Sequence, residues 1–455
     1  MAMEYSEFVA QKSFKSVSAG FDADLSDYRP FDYQSDIIRW ACMRGKAAIF
    51  ADTGLGKTLM QLVWADQVSR HTGKPVLILA PLAVSEQTIE EGRKFGVSVS
   101  RFAFVDVTGH GVYVTNYEQL HNVDADQFSG VVLDESSILK GIDSKTRKLV
   151  SELFRHTPYR LSCTATPSPN DFMELGTQAE FLGVMSQVEM LAMFFVHDGG
   201  DTSKWRLKGH GRRKFFEWLA TWAVFITKPS DLGYEDKGHE LPELVFHEHI
   251  IESGITDGLF APIASGLLER NKARKDTVDA RVEEAAMIAN GINGQCLVWC
   301  HLNNESEKLS DLIRESVQVT GSDSPDHKTG AMIGFAKGRV GRLISKPKIC
   351  GFGMNFQSCN HMVFVGLSDS WEQFYQAVRR CWRYGQTKPV HVHIVSADVE
   401  GGVLTNIKRK ESQHKQLTAE MISVMKDKTL QELGKARQEK ADYKNTMKLE
   451  LPKWA

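Results

Sequence analysis

The stretch Asp52-Thr53-Gly54-Leu55-Gly56-Lys57-Thr58 constrains this chain more than any other. An apolar run, Ala47-Ala48-Ile49-Phe50, precedes it, and a helical pattern, Leu59-Met60-Gln61-Leu62-Val63-Trp64-Ala65, follows. Strand, glycine-rich turn and helix start form the context in which G-x-x-x-x-G-K-[ST] holds phosphate. Here the first glycine stands at a shorter spacing, giving D-x-G-x-G-K-T. Turn amides from Asp52 to Gly56 and the positive end of the helix would face an anion. Lys57 would reach the outer phosphates, and Thr58 Oγ offers a hard oxygen ligand for Mg²⁺. A Gly-Lys-Thr met by chance in a loop would lack both flanks.

From Ala47 to about Pro167 short apolar runs alternate with helical segments. The runs are Val76-Leu77-Ile78-Leu79-Ala80, Gly111-Val112-Tyr113-Val114-Thr115, Val131-Val132-Leu133 and Tyr159-Arg160-Leu161-Ser162-Cys163-Thr164. Residues 85–95 and 144–155 read as helices between them. This pattern predicts a parallel sheet covered on both faces. In such a sheet ligands bind beyond the carboxyl ends of the strands. Asp52, Pro81, Asn116, Asp134 and Thr164 all fall at that edge. There Asp134 would hold Mg²⁺ and Glu135 would orient or deprotonate an attacking water.

Residues 170–240 break the alternation, with helices expected over 171–182 and 187–195 and a linker around Pro229 to Pro242. A second alternating set starts near Leu244 and includes residues 245–251, 296–300, 342–345, 362–365 and 390–395. A long helix is expected over 257–290, and others over 305–313 and from Trp371. The fold class is therefore α/β, with two parallel-sheet domains in tandem. The divisions are a lead-in at 1–28, a first domain at 29–240 with a helical insert at about 170–230, a second at 241–400, and a helix and tail at 401–455. A length of 455 residues fits two domains.

A formal net charge of -2 means that any nucleic-acid surface must be local. Arg212 and Arg213 lie in a basic segment, 204–218, with interleaved aromatics. It reads either as a contact to nucleic-acid phosphates or as a surface helix with its aromatics in the core. Phe31 and Gln34 precede the phosphate loop, where the Gln amide could read an adenine edge. His247 and His249 share a strand face and read as ordinary strand residues. Seven scattered cysteines without a C-x-x-C pair point to a reducing compartment and no zinc site. No secretory signal or membrane span is expected. The charged stretch from Lys426 onward reads as a partly mobile tail.

The motifs together resemble the superfamily-2 helicases, most closely the Swi/Snf-type members of these DEAD/DEAH-box-like ATPases and their small phage relatives. The resemblance rests on Asp52 to Thr58 and on Thr115-Asn116-Tyr117-Glu118-Gln119-Leu120. Thr164-Ala165-Thr166-Pro167, Gly351-Phe352-Gly353-Met354-Asn355 and Gln376-Ala377-Val378-Arg379-Arg380-Cys381-Trp382-Arg383-Tyr384-Gly385-Gln386 complete it. These motifs stand in the family order across residues 29–396.

The resemblance implies two RecA-like domains with an ATP cleft between them. It adds Gln376, Arg380 and Arg383 to the catalytic set, with both arginines reaching across from one face of a helix, and Gly353 and Asn355 to the nucleotide site. It places nucleic-acid contacts, chiefly to phosphate, at Pro81, Thr115, Asn116, Ser345 and Lys346. The implied activity is ATP hydrolysis coupled to movement along duplex DNA, in the cytoplasm of a bacterium or phage-infected host, without a membrane partner. The alternatives are a strand-separating helicase on DNA or RNA, a slow nucleotide-controlled clamp, and a motor subunit of a recombination, replication or restriction complex. No protein partner is named by the sequence. Two departures stand out. Ser137 replaces the His or Asp that often links the Asp-Glu box to the second domain, and Pro347 lies in a lengthened segment.

Overall fold

The computed structural model describes residues 19–81, 84–105, 107–140, 145–168, 171–198, 201–252, 276–350, 354–368, 370–398 and 401–442. The start of the lead-in, residues 257–275 of the expected long helix, Gly351 to Gly353 and the end of the tail lie outside them.

The first half carries β1 (Lys46–Ala51), β2 (Pro75–Ala80), β3 (Val99–Arg101), β4 (Gly111–Asn116), β5 (Gly130–Asp134) and β6 (Tyr159–Thr164). They are followed by β7 (Phe195–Asp198), β8 (Asp201–Leu207) and β9 (Ala223–Ile226). Seven of these form one sheet in the order β3-β4-β2-β5-β6-β1-β9. All its pairings are parallel. Both faces of β2 are buried, as its unbroken apolar run requires. β6 lies between β1 and β5, so the phosphate loop and the Asp-Glu box flank Thr164 at one sheet edge.

The second half carries β10 (Leu244–Ile251), β11 (Cys296–Trp299), β12 (Ser316–Val319), β13 (Arg342–Ser345), β14 (His361–Val365) and β15 (Val390–Ala397). They form a second parallel sheet, ordered β10-β15-β14-β11-β13-β12. The two sheets are the tandem RecA-like arrangement expected from the alternation.

The structure corrects several expectations. The last part of the lead-in is packed rather than merely polar, with Ala23, Leu25 and Tyr28 buried in the first core. Within 204–218, β8 pairs with β7 as an antiparallel hairpin, and the helix is confined to Arg212–Leu219. The C-terminal helix runs over Gly401–Asp442, well past Lys426. Val403 and Ile407 enter the second core, while Met421, Met425 and Leu433 pack on the first. The Glu432 carboxylate pairs with Arg44, and both are largely buried. This helix therefore straps the two halves together.

Five histidines gather on one face of the second sheet: His247 and His249 on β10, His361 on β14, and His391 and His393 on β15. His247 Nε2 lies 3.0 Å from His391 Nδ1, and His249 Nε2 lies 3.1 Å from His393 Nδ1. Burial, reinforced by the neighbouring imidazoles, pushes His393 down to about 4 and lowers the proton affinity of His247 and His361. Among the described residues no group of three or more His, Cys, Asp or Glu is arranged to hold a metal ion. All seven cysteines are free and buried. No described helix is long and apolar enough to cross a membrane.

Candidate active site in the cleft between the sheets

The phosphate loop is shaped by two left-handed glycines, Gly54 (φ 93°) and Gly56 (φ 75°), the latter capping the helix Lys57–Thr72. Both positions are crowded as well. A Cβ on Gly56 would lie 2.2 Å from Gln34 Nε2, and one on Gly54 would lie 2.9 Å from the Tyr384 backbone nitrogen, which belongs to the other half. Leu55 is buried and anchors the loop in the core. Lys57 Nζ donates to the carbonyls of Ala51 (2.8 Å) and Asp52 (3.2 Å). Burial lowers the Lys57 proton affinity, and Glu135, Asp52 and Asp134 partly restore it.

Asp134 and Glu135 leave the end of β5. Burial pushes the Asp134 carboxyl up to about 6, against the hydrogen bond that Oδ1 accepts from Gln61 Nε2 at 2.9 Å. Glu135 has a positive φ of 60°, a strained setting for a non-glycine residue. Its Oε1 accepts from Ser137 Oγ at 2.8 Å and Thr164 Oγ1 at 2.5 Å, which fixes the carboxylate. Ser137 thus turns back on Glu135 and does not link the sheets. That linkage falls to Glu372, which pairs with Lys140 and accepts from Thr166 Oγ1 at 3.4 Å.

Arg380 and Arg383 do not share a helix face, because the helix Trp371–Val378 ends before them. Both nevertheless line the same cavity, of about 400 Å³, as Phe31, Gln34, Thr53, Gly54, Gly56, Lys57, Thr58, Pro81, Asp134, Glu135 and Asn355. Arg380 is tied down by the Gln376 carbonyl, Gln376 Oε1 and the Met354 carbonyl, each at 3.0 Å. Burial and the neighbouring Arg383 push Arg380 down to about 10, which leaves it a cation at neutral pH. Arg383 Nε is buried without a hydrogen-bond partner among the described residues. Gln376 stands off the cavity and acts as a prop, bonding Thr166 on one side and Arg380 on the other.

The amino-acid pattern gave no role to Arg379, which joins the second half to the phosphate loop across the cleft. Its Nη2 donates to Asp52 Oδ2 at 2.6 Å and to the Thr53 carbonyl at 3.1 Å, and Nε donates to Thr53 Oγ1. The Tyr375 hydroxyl donates to Asp52 Oδ1 at 2.5 Å. Burial opposes the Asp52 charge, but Arg379 and Tyr375 more than offset it and hold the carboxyl below its usual range. The second sheet therefore grips the loop itself.

Comparison with known proteins agrees with this geometry. Residues 280–385 match the family model "Helicase conserved C-terminal domain". Protein p41 of Acyrthosiphon pisum secondary endosymbiont phage 1 is 24% identical over 444 residues, covering 82% of this chain and 94% of that protein. The ATP-dependent helicase YqhH of Bacillus subtilis is 21% identical over 433 residues, covering 81% of this chain and 75% of that one. The chain thus carries a helicase C-terminal domain and is similar along most of its length to an ATP-dependent helicase. The Sulfolobus solfataricus SWI2/SNF2 ATPase core in complex with dsDNA aligns with a TM-score of 0.42 at 17% identity, covering 92% of this helicase and 99% of that chain.

Several expected nucleic-acid contacts of this helicase are not available where the sequence put them. Ser345 is fully buried and its hydroxyl donates to the Val319 carbonyl at 2.9 Å. Thr115 is also buried. Both side chains face inward from strand positions. Pro81 lines the nucleotide cavity, and Lys346 is half-buried and bonds Asn303. Asn116 is half-buried, and its Oδ1 has no hydrogen-bond partner among the described residues. In the basic segment Phe215, Phe216 and Trp218 are core residues, and Arg212 packs on Phe172 and Phe216 while pairing with Glu420. Arg213 stays exposed beside Glu217. Of the two readings of this segment, the side-chain packing favours the structural one.

Proposed function

We propose that this helicase couples ATP hydrolysis to movement along duplex DNA. The observation that carries the reading is the convergence on one cavity of Lys57, Asp134 and Glu135 from one sheet with Arg380 and Arg383 from the other. Such a site is complete only when the halves meet, so hydrolysis and relative movement are linked. The preference for duplex rests on the Swi/Snf-type motifs. Contacts chiefly to phosphate would make the movement insensitive to sequence. We place the working boundary between the halves at residues 240 and 241.

In this reading the loop amides and Lys57 hold the β- and γ-phosphates, and Glu135 orients the attacking water. Arg383 faces the charge that develops on the transferred group, with Arg380 beside it. The donor set fits Mg²⁺: the Thr58 hydroxyl and the Asp134 carboxylate are hard oxygen ligands lining one cavity. Bound there, the ion would neutralise phosphate charge. A buried carboxyl pushed up to about 6, as Asp134 is, also gains from a cation beside it.

The test is ATP turnover measured with no nucleic acid, duplex DNA, single-stranded DNA and RNA, with Lys57→Ala as control. The expected result is stimulation of at least about tenfold by duplex alone, absent from the variant. Stimulation confined to single strands would overturn the duplex reading, and full activity in Lys57→Ala would overturn the site.

A further inference from the structure

At the base end of the cavity, Gln34 does not have a free amide edge. It is buried; its Oε1 accepts from Phe31 N at 2.9 Å, and its Nε2 donates to the Leu55 carbonyl at 3.0 Å and to Tyr33 Oη at 3.3 Å. The neighbouring contacts then fix a histidine tautomer. Tyr33 Oη lies 3.0 Å from the Leu55 carbonyl oxygen. A carbonyl carries no proton, so that contact takes the single phenolic proton. Burial raises the Tyr33 proton affinity, which keeps the proton in place. The phenol oxygen can then only accept from its other neighbours, Gln34 Nε2 and His239 Nε2, the latter at 3.1 Å. His239 therefore carries a hydrogen on Nε2, and in the neutral ring Nδ1 holds the lone pair.

That Nδ1 is buried and has no hydrogen-bond partner among the described residues. His239 lines the same cavity as Lys57, between the rings of Phe31 and Tyr384, each 5.2 Å away. The flanking Phe31 and Tyr384 are 51% and 41% exposed. Tyr384 belongs to the second half, so its contact with the imidazole is made across the cleft.

We propose that His239 selects the base of the nucleotide, its Nδ1 accepting a hydrogen bond from an exocyclic amino group such as the 6-amine of adenine, while Phe31 and Tyr384 flank the ring. This rests on the ATP reading of the cavity. A purine with a carbonyl at position 6 would set oxygen against the lone pair and leave both unsatisfied. Because His239 lies between β9 and β10, the base is read from the segment joining the two sheets. The same nucleotide is thus held by the loop, the connecting segment and the second sheet.

The test compares kcat/KM for ATP and inosine triphosphate, in which a carbonyl replaces the 6-amine and N1 gains a hydrogen, together with competition by ADP and inosine diphosphate. The expected preference for the adenine nucleotides is about 10- to 100-fold. It should collapse to within about threefold in His239→Ala. Tyr33→Phe, which keeps the ring but removes the oxygen that fixes the tautomer, should narrow it as well and serves if the alanine variant does not fold. ATP turnover with equal use of inosine triphosphate, or a preference unchanged in both variants, would overturn the inference alone. Absence of both ATP turnover and ADP binding would overturn the ATP reading, and this inference with it.

Discussion

Replacing Arg383 with alanine is expected to lower ATP turnover about 10³-fold, with ATP affinity changed by no more than about threefold. The expectation follows from how differently the two cavity arginines are held. Arg380 makes three hydrogen bonds to Gln376 and Met354, so its loss would disturb the local fold as well as the chemistry. Arg383 has a buried Nε without a hydrogen-bond partner among the described residues, and burial lowers the proton affinity of its guanidinium. A cation held in this way gains most when negative charge develops opposite it, and that happens in the transition state rather than in bound ATP. Single-turnover hydrolysis, read beside equilibrium binding of a non-hydrolysable ATP analogue, separates the two effects. Turnover within about threefold of the parent would remove Arg383 from the transition state.

The second large effect is expected at Arg379. Arg379→Ala would leave Asp52 as a poorly solvated carboxylate inside the phosphate loop. Breaking a buried ion pair from one side typically costs about 3–5 kcal/mol. The Asp52 side chain retains 20% exposure, which puts the expectation at the lower end. Turnover should fall by about 10²-fold or more, because the loop would lose its hold on the second sheet while Lys57 and Glu135 remained. The cycle with Asp52→Asn is informative: the double variant should recover a coupling of about 2 kcal/mol in urea unfolding. Strictly additive losses would show that the two residues act independently. The depressed Asp52 carboxyl sets the sign of the pH dependence: the latch is intact above the ordinary carboxylate range and weakens as acid protonates Asp52.

What could be read from the residues divides along physical lines. β6 and β13 match the expected segments to the residue, because their short hydrophobic runs end in polar positions. β12 and the helix Pro325–Ala336 went unrecognised. Ser316-Val317-Gln318-Val319 is a four-residue alternation, and Gly330 and Gly334 weaken the helical signal. Only the part of the C-terminal helix beyond Lys426 looked like a tail, because its anchors are sparse. Met421, Met425 and Leu433 fall at helical spacings on one face, which is enough to dock a charged helix.

In the site, motif residues were legible because backbone geometry demands them: Gly54 and Gly56 at positive φ, and Asp134 at a strand end. Arg379, Glu372 and His239 were not, since each acts on a partner far away in the chain and no periodicity reports such pairs. Thr115 and Ser345 erred in the other direction. Their motifs fall on β4 and β13 but could not say which side of the strand each side chain would face.

The central claim is that this helicase moves along duplex DNA by closing one sheet on the other around ATP. Displacement of a third strand from a triplex tests it most directly, because the underlying duplex can stay paired while the third strand is stripped. The account predicts ATP-dependent release of the third strand with the duplex intact, and no release by Lys57→Ala or Arg383→Ala. Vigorous duplex-stimulated ATP turnover with the third strand left in place, or release only together with separation of the duplex strands, would contradict it.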